Sequence, residues 1–298
     1  MLYRQLGNST LQVSEIGFGC MSLGQDDIEN SRLINRAIEL GINFFDTADI
    51  YERGFNEERI GRILKNHRKS VYIASKAGNQ YKSQGGGFDW NPSKKHILSA
   101  AEGGLKRLQT DYIDLFQLHG GTAEDPFEET ISAFETLKQQ GKIRYYGISS
   151  LRPNVIRKYV ESSRIVSVMM PYSLLDRRPE ESCMQLLAAN QIGILARGGL
   201  AQGLLAGKSR AEYLNYQEHE IEKIKSAIDS LPFEHRTKVQ TALQFVLFRQ
   251  EISAAVVGIR TIGQLEEVAA TPEIPRLTSA EINFLSNILP TNYYEQHR

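Results

Sequence analysis

Cysteine, net charge and long apolar runs are all scarce in this sequence. The 298 residues include only two cysteines, Cys20 and Cys183, too few for the disulfide framework of a small secreted domain. No apolar run reaches the roughly 20 residues that a membrane-spanning helix needs, and the N-terminus lacks the apolar segment of a secretory signal. We therefore expect a cytoplasmic protein that does not bind a membrane.

The charged residues balance, with 35 basic and 35 acidic side chains, so the formal net charge is zero. A zero net charge gives no electrostatic reason to expect nucleic acid as a partner. Hydrophobic residues make up 41% of the chain, which is enough for a sizeable core. The expectation is a globular protein without a nucleic-acid or metal partner, with a monomer favoured over an oligomer.

Strand-like and helix-like segments alternate along almost the whole chain. Alternation of this kind favours a parallel sheet, and eight strands in a chain of this length favour a closed barrel. We therefore predict an α/β fold, a (β/α)8 TIM barrel, as a single domain over residues 1–298. The eight predicted strands are Glu15–Gly19, Asn43–Phe45, Val71–Ser75, Tyr112–Leu118, Tyr145–Ser149, Val166–Met170, Gly193–Ala196 and Ala254–Gly258.

An open, doubly wound sheet is the alternative to the barrel. Such a sheet carries a glycine-rich fingerprint between its first strand and its first helix. Gly17 and Gly19, followed by Gly24, match that fingerprint only loosely, and no helical pattern begins within them. The barrel is therefore the favoured interpretation.

Three segments fall outside the alternating pattern. Leu2–Leu6 and Leu11–Val13 flank a glycine-containing turn, which predicts an N-terminal β-hairpin capping the bottom of the barrel. The capping box that begins at Thr278 predicts a C-terminal helix through Leu289. Gly207–Glu234 is long and charged, which favours a lid over a bound ligand.

Four polar side chains follow predicted strands at the points where those strands end. Asp46 follows the second strand, Tyr51 lies on the loop after it, and Lys76 and His119 follow the third and fourth strands. In a parallel barrel these ends meet at one rim, where active sites are built. Each residue alone is also typical of an ordinary loop or cap, but four at one rim favour a catalytic site.

The four side chains suit the reduction of a carbonyl group. A free phenol has a pKa of about 10 and is a weak proton donor at neutral pH, and a nearby ammonium lowers that pKa. We expect Lys76, held by Asp46, to act in this way on Tyr51, while His119 orients the carbonyl or stabilises charge on its oxygen. None of these groups supplies a hydride, so a cofactor is required.

Longer motifs surround these residues. The two most specific are Gly41–Tyr51 and Leu105–His119, and they are joined by Asn56–Glu58, Ser75–Gly78, Gly141–Ser149 and Gln264–Glu267. In these segments the chain resembles the aldo-keto reductases over essentially its whole length. The resemblance implies a (β/α)8 barrel without a Rossmann domain and a catalytic tetrad of Asp46, Tyr51, Lys76 and His119. It also implies reversible hydride transfer between a nicotinamide cofactor, usually NADPH, and an aldehyde or ketone.

The resemblance implies cofactor contacts on the nicotinamide side. Ser149 would bind the nicotinamide carboxamide, and Tyr172 would stack on the nicotinamide ring. Arg197 stands where the family often has an aromatic or small residue, and Met169 stands where many members have glutamine. Our hypothesis is that Arg197, at the end of the seventh strand, contacts either the nicotinamide side or the phosphates.

On the phosphate side, the resemblance implies two groups of contacts. Backbone amides after the seventh strand would wrap the pyrophosphate, because glycines allow close approach to phosphate. A guanidinium matches phosphate well, so Arg260 favours NADP over NAD and makes NADH the less expected cofactor. The implied residues are Gly199, Leu200 and Gly203 for the pyrophosphate, and Gly258, Arg260, Gln264 and Glu267 for the adenosine end.

The expected function is that of an NADP-dependent aldo-keto reductase acting on small aldehydes or ketones. Aromatic side chains after the third strand, Tyr81, Phe88 and Trp90, are candidates to line the substrate mouth. The alternative is a regulatory subunit of the same fold that senses the cofactor and has vestigial catalysis, although a complete tetrad argues against it. The sequence does not identify the physiological substrate, because fold does not fix specificity.

Overall fold

Eight parallel strands close into a barrel in the computed structural model, which describes residues 1–82, 84, 86–209, 212–231 and 236–298. Each strand pairs with the next along the chain, and β8 pairs with β1 to close the ring. All eight overlap the predicted segments, so the predicted barrel is confirmed and the open-sheet alternative is wrong. The strands are β1 Ile16–Gly19, β2 Phe44–Asp46, β3 Tyr72–Ala77, β4 Ile113–Leu118, β5 Ile143–Ser149, β6 Ser167–Pro171, β7 Gly193–Arg197 and β8 Ile252–Gly258.

Helices cover the outside of the barrel, and capping side chains set several of their starts. The Asp26 carboxylate accepts hydrogen bonds from two backbone N–H groups at the start of α1. The predicted capping box of Thr278 and Glu281 is present, and its helix ends at Ser286, short of the predicted Leu289. The helices are α1 Asp27–Glu39, α2 Phe55–Leu64, α3 Lys94–Leu108, α4 Phe127–Gln139, α5 Pro153–Ser162, α6 Cys183–Ala189, α7 Glu218–Ser230, α8 Lys238–Leu247, α9 Ile262–Ala269 and α10 Ser279–Ser286.

The bottom of the barrel is closed by the predicted N-terminal hairpin, in which Tyr3–Gln5 pairs with Gln12–Ser14. Leu6 and Leu11 from this hairpin are buried in one cluster with side chains of the barrel interior, including Phe44, Leu115, Met169 and Leu195. Burial of each such side chain stabilises the fold by roughly 1.5–3 kcal/mol. The interior is thus a packed core, which confines chemistry to the opposite rim.

A buried ion cluster lies at the N-terminal ends of β3, β4 and β5. Asp114 contacts Arg68 at 2.8 Å and Arg144 at 3.1 Å, and its side chain is 1% exposed. The two guanidinium centres lie 3.9 and 4.1 Å from the centre of the Tyr112 ring. Burial raises the pKa of Asp114, and the two arginines oppose that rise. We call these four residues the Asp114 cluster.

The segment predicted as a lid, Gly207–Glu234, contains two short paired strands, Glu212–Tyr213 and Tyr216–Gln217, followed by α7. Its residues 210, 211 and 232–234 lie outside the described residues. Helix α7 packs against α8 and α10, and the Tyr216 hydroxyl donates a hydrogen bond to the carbonyl oxygen of Pro290. Among the described residues, no helix has the length and apolar character required to span a membrane.

Candidate active site

The structure brings Asp46, Tyr51, Lys76 and His119 together at the C-terminal rim of the barrel. Asp46 is the last residue of β2, Lys76 is the penultimate residue of β3, and His119 directly follows β4. Tyr51 begins a short 3-10 turn after β2. Because β2, β3 and β4 are neighbours in the barrel, the four side chains meet over one sector of the rim.

Asp46 and Lys76 form a buried ion pair. The Lys76 Nζ lies 2.7 Å from both carboxylate oxygens and also donates a 2.8 Å hydrogen bond to the carbonyl oxygen of Thr47. Lys76 is 1% exposed and Asp46 is 5% exposed. Burial is the largest single influence and opposes the charged form of Lys76, but Asp46 and Tyr51 together outweigh it and keep the pKa of Lys76 above its ordinary value. Lys76 is therefore an ammonium at neutral pH.

Tyr51 lies near both this ammonium and the imidazole. The Lys76 Nζ is 5.3 Å from the centre of the Tyr51 ring, and the His119 ring meets it edge-on with a centroid separation of 6.0 Å. Burial raises the pKa of Tyr51, while Lys76 acts in the lowering direction that we expected. The expected net lowering is therefore wrong for the protein alone, because removing the phenolate from water outweighs its attraction to Lys76.

His119 is an uncharged imidazole in this environment. Burial lowers the pKa of His119 to about 3, and the positive charges of Lys76 and Arg197 act in the same direction. Its Nδ1 is buried and has no hydrogen-bond partner among the described residues. A neutral imidazole keeps one N–H as a donor, and it remains neutral across the physiological pH range.

The backbone directly after Tyr51 is strained. Glu52 and Arg53 have φ angles of 49° and 57°, and Gly54 follows at 90°. The left-handed region costs a non-glycine residue roughly 1–2 kcal/mol, so neighbouring contacts must hold this turn. One such contact is the 2.6 Å ion pair between Glu52 and Arg59.

Glu57, at the start of α2, is a buried acid within the Asn56–Glu58 motif, and the sequence alone gave it no role. Its carboxylate accepts a 2.6 Å hydrogen bond from the Ser75 hydroxyl and a 2.7 Å bond from Arg107, and it is 0% exposed. Because Ser75 precedes Lys76, Glu57 fixes the strand that presents the ammonium. Two sequence features could have pointed to Glu57: the acidic residues in the first turn of α2, and the serine that directly precedes Lys76.

Asn56 ties the strand of Asp46 to the first strand. Its side chain accepts a 2.6 Å hydrogen bond from the Thr47 hydroxyl and donates one of 2.9 Å to the carbonyl oxygen of Cys20. The Cys20 thiol is fully buried, and burial raises its pKa well above the usual value. Cys20 is thus a packing residue here rather than a reactive thiol.

Arg197 is a further cation whose charge reaches this group of four side chains. It is the last residue of β7, its side chain is exposed, and its charge acts on Asp46, Tyr51 and His119. Within the part of the chain that the structure describes, its guanidinium has no ion-pair or hydrogen-bond partner. Ser149 ends β5 on the same rim.

The residues implied for the phosphate side follow β7 and β8, which are neighbours in the barrel. Gly199, Leu200 and Gly203 lie on the turn after β7, where Gly203 has a φ of 92°. Gly258 ends β8. The Arg260 side chain is exposed, and its backbone N–H donates a hydrogen bond to the Gln264 side chain. Glu267 lies further along α9 and is half-buried.

Tyr172 does not fit its expected role. It is 0% exposed, its ring stacks on Phe245, and its hydroxyl is bonded to Glu180 at 2.7 Å and Arg249 at 3.3 Å. Side chains alternate across a strand, and Met169, three residues earlier, faces the barrel interior. Tyr172 therefore faces the helices, and the prediction that it stacks on a nicotinamide ring is wrong.

Comparison with known proteins identifies a family for the chain. The family model described as "Aldo/keto reductase family" matches residues 15–289. The chain is 45% identical to the "Uncharacterized oxidoreductase YqkF" of Bacillus subtilis, with all of both proteins covered. It is 30% identical to the "Aldo-keto reductase yakc [NADP(+)]" of Schizosaccharomyces pombe, with 94% of this chain and 85% of that protein covered.

Solved structures agree with this family match. The holo form of aldo-keto reductase AKR11C1 from Bacillus halodurans superposes with a TM-score of 0.95 at 46% sequence identity. That alignment covers 100% of this chain and 99% of the other. With the family model spanning most of the sequence and two close relatives matching from end to end, the chain belongs to the aldo/keto reductase family.

Proposed function

We propose that this protein is an NADP-dependent reductase of aldehydes or ketones. The observation that carries the proposal is the buried Asp46–Lys76 pair beside Tyr51 and a neutral His119 at one rim. This set contains one proton donor, one fixed positive charge and one neutral hydrogen-bond donor. Such groups suit the reduction of a carbonyl, because its oxygen gains negative charge and then a proton.

Each residue has a distinct role in the proposed reaction. Tyr51 would give its hydroxyl proton to the carbonyl oxygen, and the Lys76 ammonium would stabilise the phenolate left behind. Asp46 holds that ammonium in place and charged. His119, with a pKa of about 3, stays neutral and would donate a hydrogen bond to the same oxygen. Reduced NADP, when bound, would supply the hydride.

The residues at this rim suit the binding of nicotinamide adenine dinucleotide phosphate (NADP). Arg197 is a cation without an acidic partner in the described chain, and Arg260 is exposed at the neighbouring strand end. The glycine-containing turn after β7 allows close approach of a phosphate to the backbone. One relative carries NADP(+) in its name, which supports the same choice of cofactor. The relatives named above are oxidoreductases or reductases by name, so none supports a regulatory subunit.

The test is oxidation of NADPH, followed by absorbance, with a panel of aldehydes and ketones. Tyr51→Phe should lower turnover by about 10²–10⁴-fold while NADPH affinity is retained, because only the transferred proton is lost. Tyr3→Phe is the matched control, since that hydroxyl bonds the Gly41 carbonyl at the far end of the barrel. Full activity of Tyr51→Phe would refute the mechanism, and a preference for NADH would refute the role proposed for Arg260.

A further inference from the structure

A small antiparallel hairpin stands on the rim beside the catalytic group. It consists of Asn79–Tyr81 paired with Phe88–Trp90, and we call these two strands the rim hairpin. The hairpin begins shortly after Lys76, and the Tyr81 and Phe88 rings pack with centroids 4.7 Å apart. None of its side chains belongs to the tetrad, yet it contacts the loops of two tetrad residues.

Tyr81 holds the loop that carries Tyr51. Its hydroxyl donates a 2.7 Å hydrogen bond to the carbonyl oxygen of Ile50, the residue immediately before Tyr51. The Arg53 guanidinium centre lies 4.7 Å from the centre of the Tyr81 ring, within cation–π range. Tyr81 therefore contacts this loop on both sides of Tyr51, in the stretch where Arg53 has a left-handed backbone.

At the base of the rim hairpin, the pair Asn79 and Trp90 holds the loop of His119. The Asn79 side-chain amide donates a 2.9 Å hydrogen bond to the carbonyl oxygen of His119. The Trp90 ring packs over the next residue, Gly120, where an added Cβ would lie 3.0 Å from a ring carbon. The backbone of His119 is thus held by contacts from both strands of the hairpin.

Trp90 itself is anchored by a buried acid. Its Nε1 donates a 2.7 Å hydrogen bond to Asp125, which also accepts from the backbone N–H and the hydroxyl of Thr122 at 2.8 and 2.7 Å. Asp125 is 9% exposed, so these bonds are well shielded from water. The hairpin is therefore fixed to the body of the protein rather than to the tetrad alone.

We infer that the rim hairpin sets the separation of Tyr51 and His119, with Tyr81 as a positioning residue for Tyr51. The inference rests on the proposed function, in which both side chains must reach one carbonyl oxygen. Tyr81 acts on the reaction only through the backbone of Ile50 and the ring contact with Arg53. A misplacement of about 1 Å can cost 10²-fold in rate, so a single lost hydrogen bond in this position is measurable.

Tyr81→Phe is the variant that tests this inference, because it removes the hydroxyl and keeps the ring under Arg53. Protein labelled with ¹³C at Cζ of tyrosine reports Tyr51 directly, without cofactor, and the Tyr51 signal is assigned by its absence in Tyr51→Phe. We expect the Tyr51 signal to shift or broaden in Tyr81→Phe. We also expect kcat to fall about tenfold, with KM and NADPH affinity within about twofold of wild type. Tyr3→Phe, which loses a comparable hydroxyl–carbonyl bond, should keep both readouts.

The outcomes separate the positioning role from the proposed function. An unchanged Tyr51 signal with a lowered kcat would mean that Tyr81 acts on substrate directly, and a shifted signal with unchanged kcat would mean that position does not matter. Either result overturns the inference. If the wild type reduces no carbonyl, the proposed function fails, and the Tyr51 signal alone decides whether the rim hairpin positions Tyr51. Should Tyr81→Phe not fold, Asn79→Ala with the His119 ring signals provides the same test.

Discussion

The two ends of the barrel use a buried carboxylate in different ways. In the Asp114 cluster, two arginines share one acid and both lie against the Tyr112 ring. At the other rim, Asp46 is paired with Lys76 alone, while Arg197 has no partner in the described chain. The first arrangement satisfies its cations internally, and the second leaves a cation and an imidazole nitrogen available to a ligand. The difference is what we expect if one cluster serves stability and the other serves the proposed cofactor binding.

Removing the carboxylate of Asp114 should have the largest effect, and it tests whether the Asp114 cluster serves stability. Asp114→Ala should lower the free energy of unfolding by about 3 kcal/mol, because Arg68 is left buried without its acid. Chemical denaturation measures this change. Asp27→Ala is the matched control, since Asp27 also binds two arginines but is half exposed, and its effect should be much smaller. Equal losses in the two variants would contradict a special role for the buried cluster.

The second test lowers the pH, which should reduce the stability contributed by the rim that carries His119. The folded pKa of His119, about 3, lies below its usual value of about 6.5, so the fold favours neutral imidazole. The resulting stability is fully present above pH 6.5 and is lost as the pH falls towards 3. Relative to His119→Gln, the wild type should lose up to about 1.4 kcal/mol of unfolding free energy per pH unit below 6.5. Parallel stability curves for the two proteins between pH 7 and 4 would show that His119 is not shielded as described.

Two arginine variants, one from each end of the barrel, test the same comparison through smaller effects. Arg197→Ala should weaken NADPH binding about tenfold, the value of one charge-assisted contact, and leave the melting temperature unchanged. Arg144→Ala should do the reverse, with a stability loss of up to about 1 kcal/mol and unchanged NADPH binding, because Arg144 is paired but half exposed. Fluorescence titration and thermal unfolding measure the two quantities. Unchanged NADPH affinity in Arg197→Ala would remove Arg197 from the cofactor site.

The barrel and the position of the tetrad could be read from the sequence because both depend on local patterns. Short apolar segments alternate with helical ones, and Asp46, Lys76 and His119 stand at strand ends, which a parallel barrel gathers on one rim. The N-terminal hairpin and the capping box at Thr278 are also local signals. These elements could be predicted without knowing which residues far apart in the chain come into contact.

Burial and distant contacts could not be read in this way. The net pKa of Tyr51 depends on how deeply the phenol lies, and the sequence shows only that Lys76 is near. The stacking role of Tyr172 came from the family resemblance alone, and its direction became clear only once Met169 was seen to face the barrel interior. The bond from Tyr81 to Ile50 joins residues on separate loops, so it becomes visible only in the folded chain.

The packing of Trp90 has a consequence for how this protein diverges from its relatives. Beneath the ring, Gly78 and Gly120 have φ angles of 129° and 144°, and an added Cβ at either would lie within 3.0 Å of it. A side chain at either position would therefore strain the backbone and crowd the Trp90 ring. We therefore expect few substitutions to be tolerated around Trp90, a candidate to line the substrate mouth. Changes in substrate range are accordingly expected to accumulate on the other sides of the opening, where loops tolerate substitution.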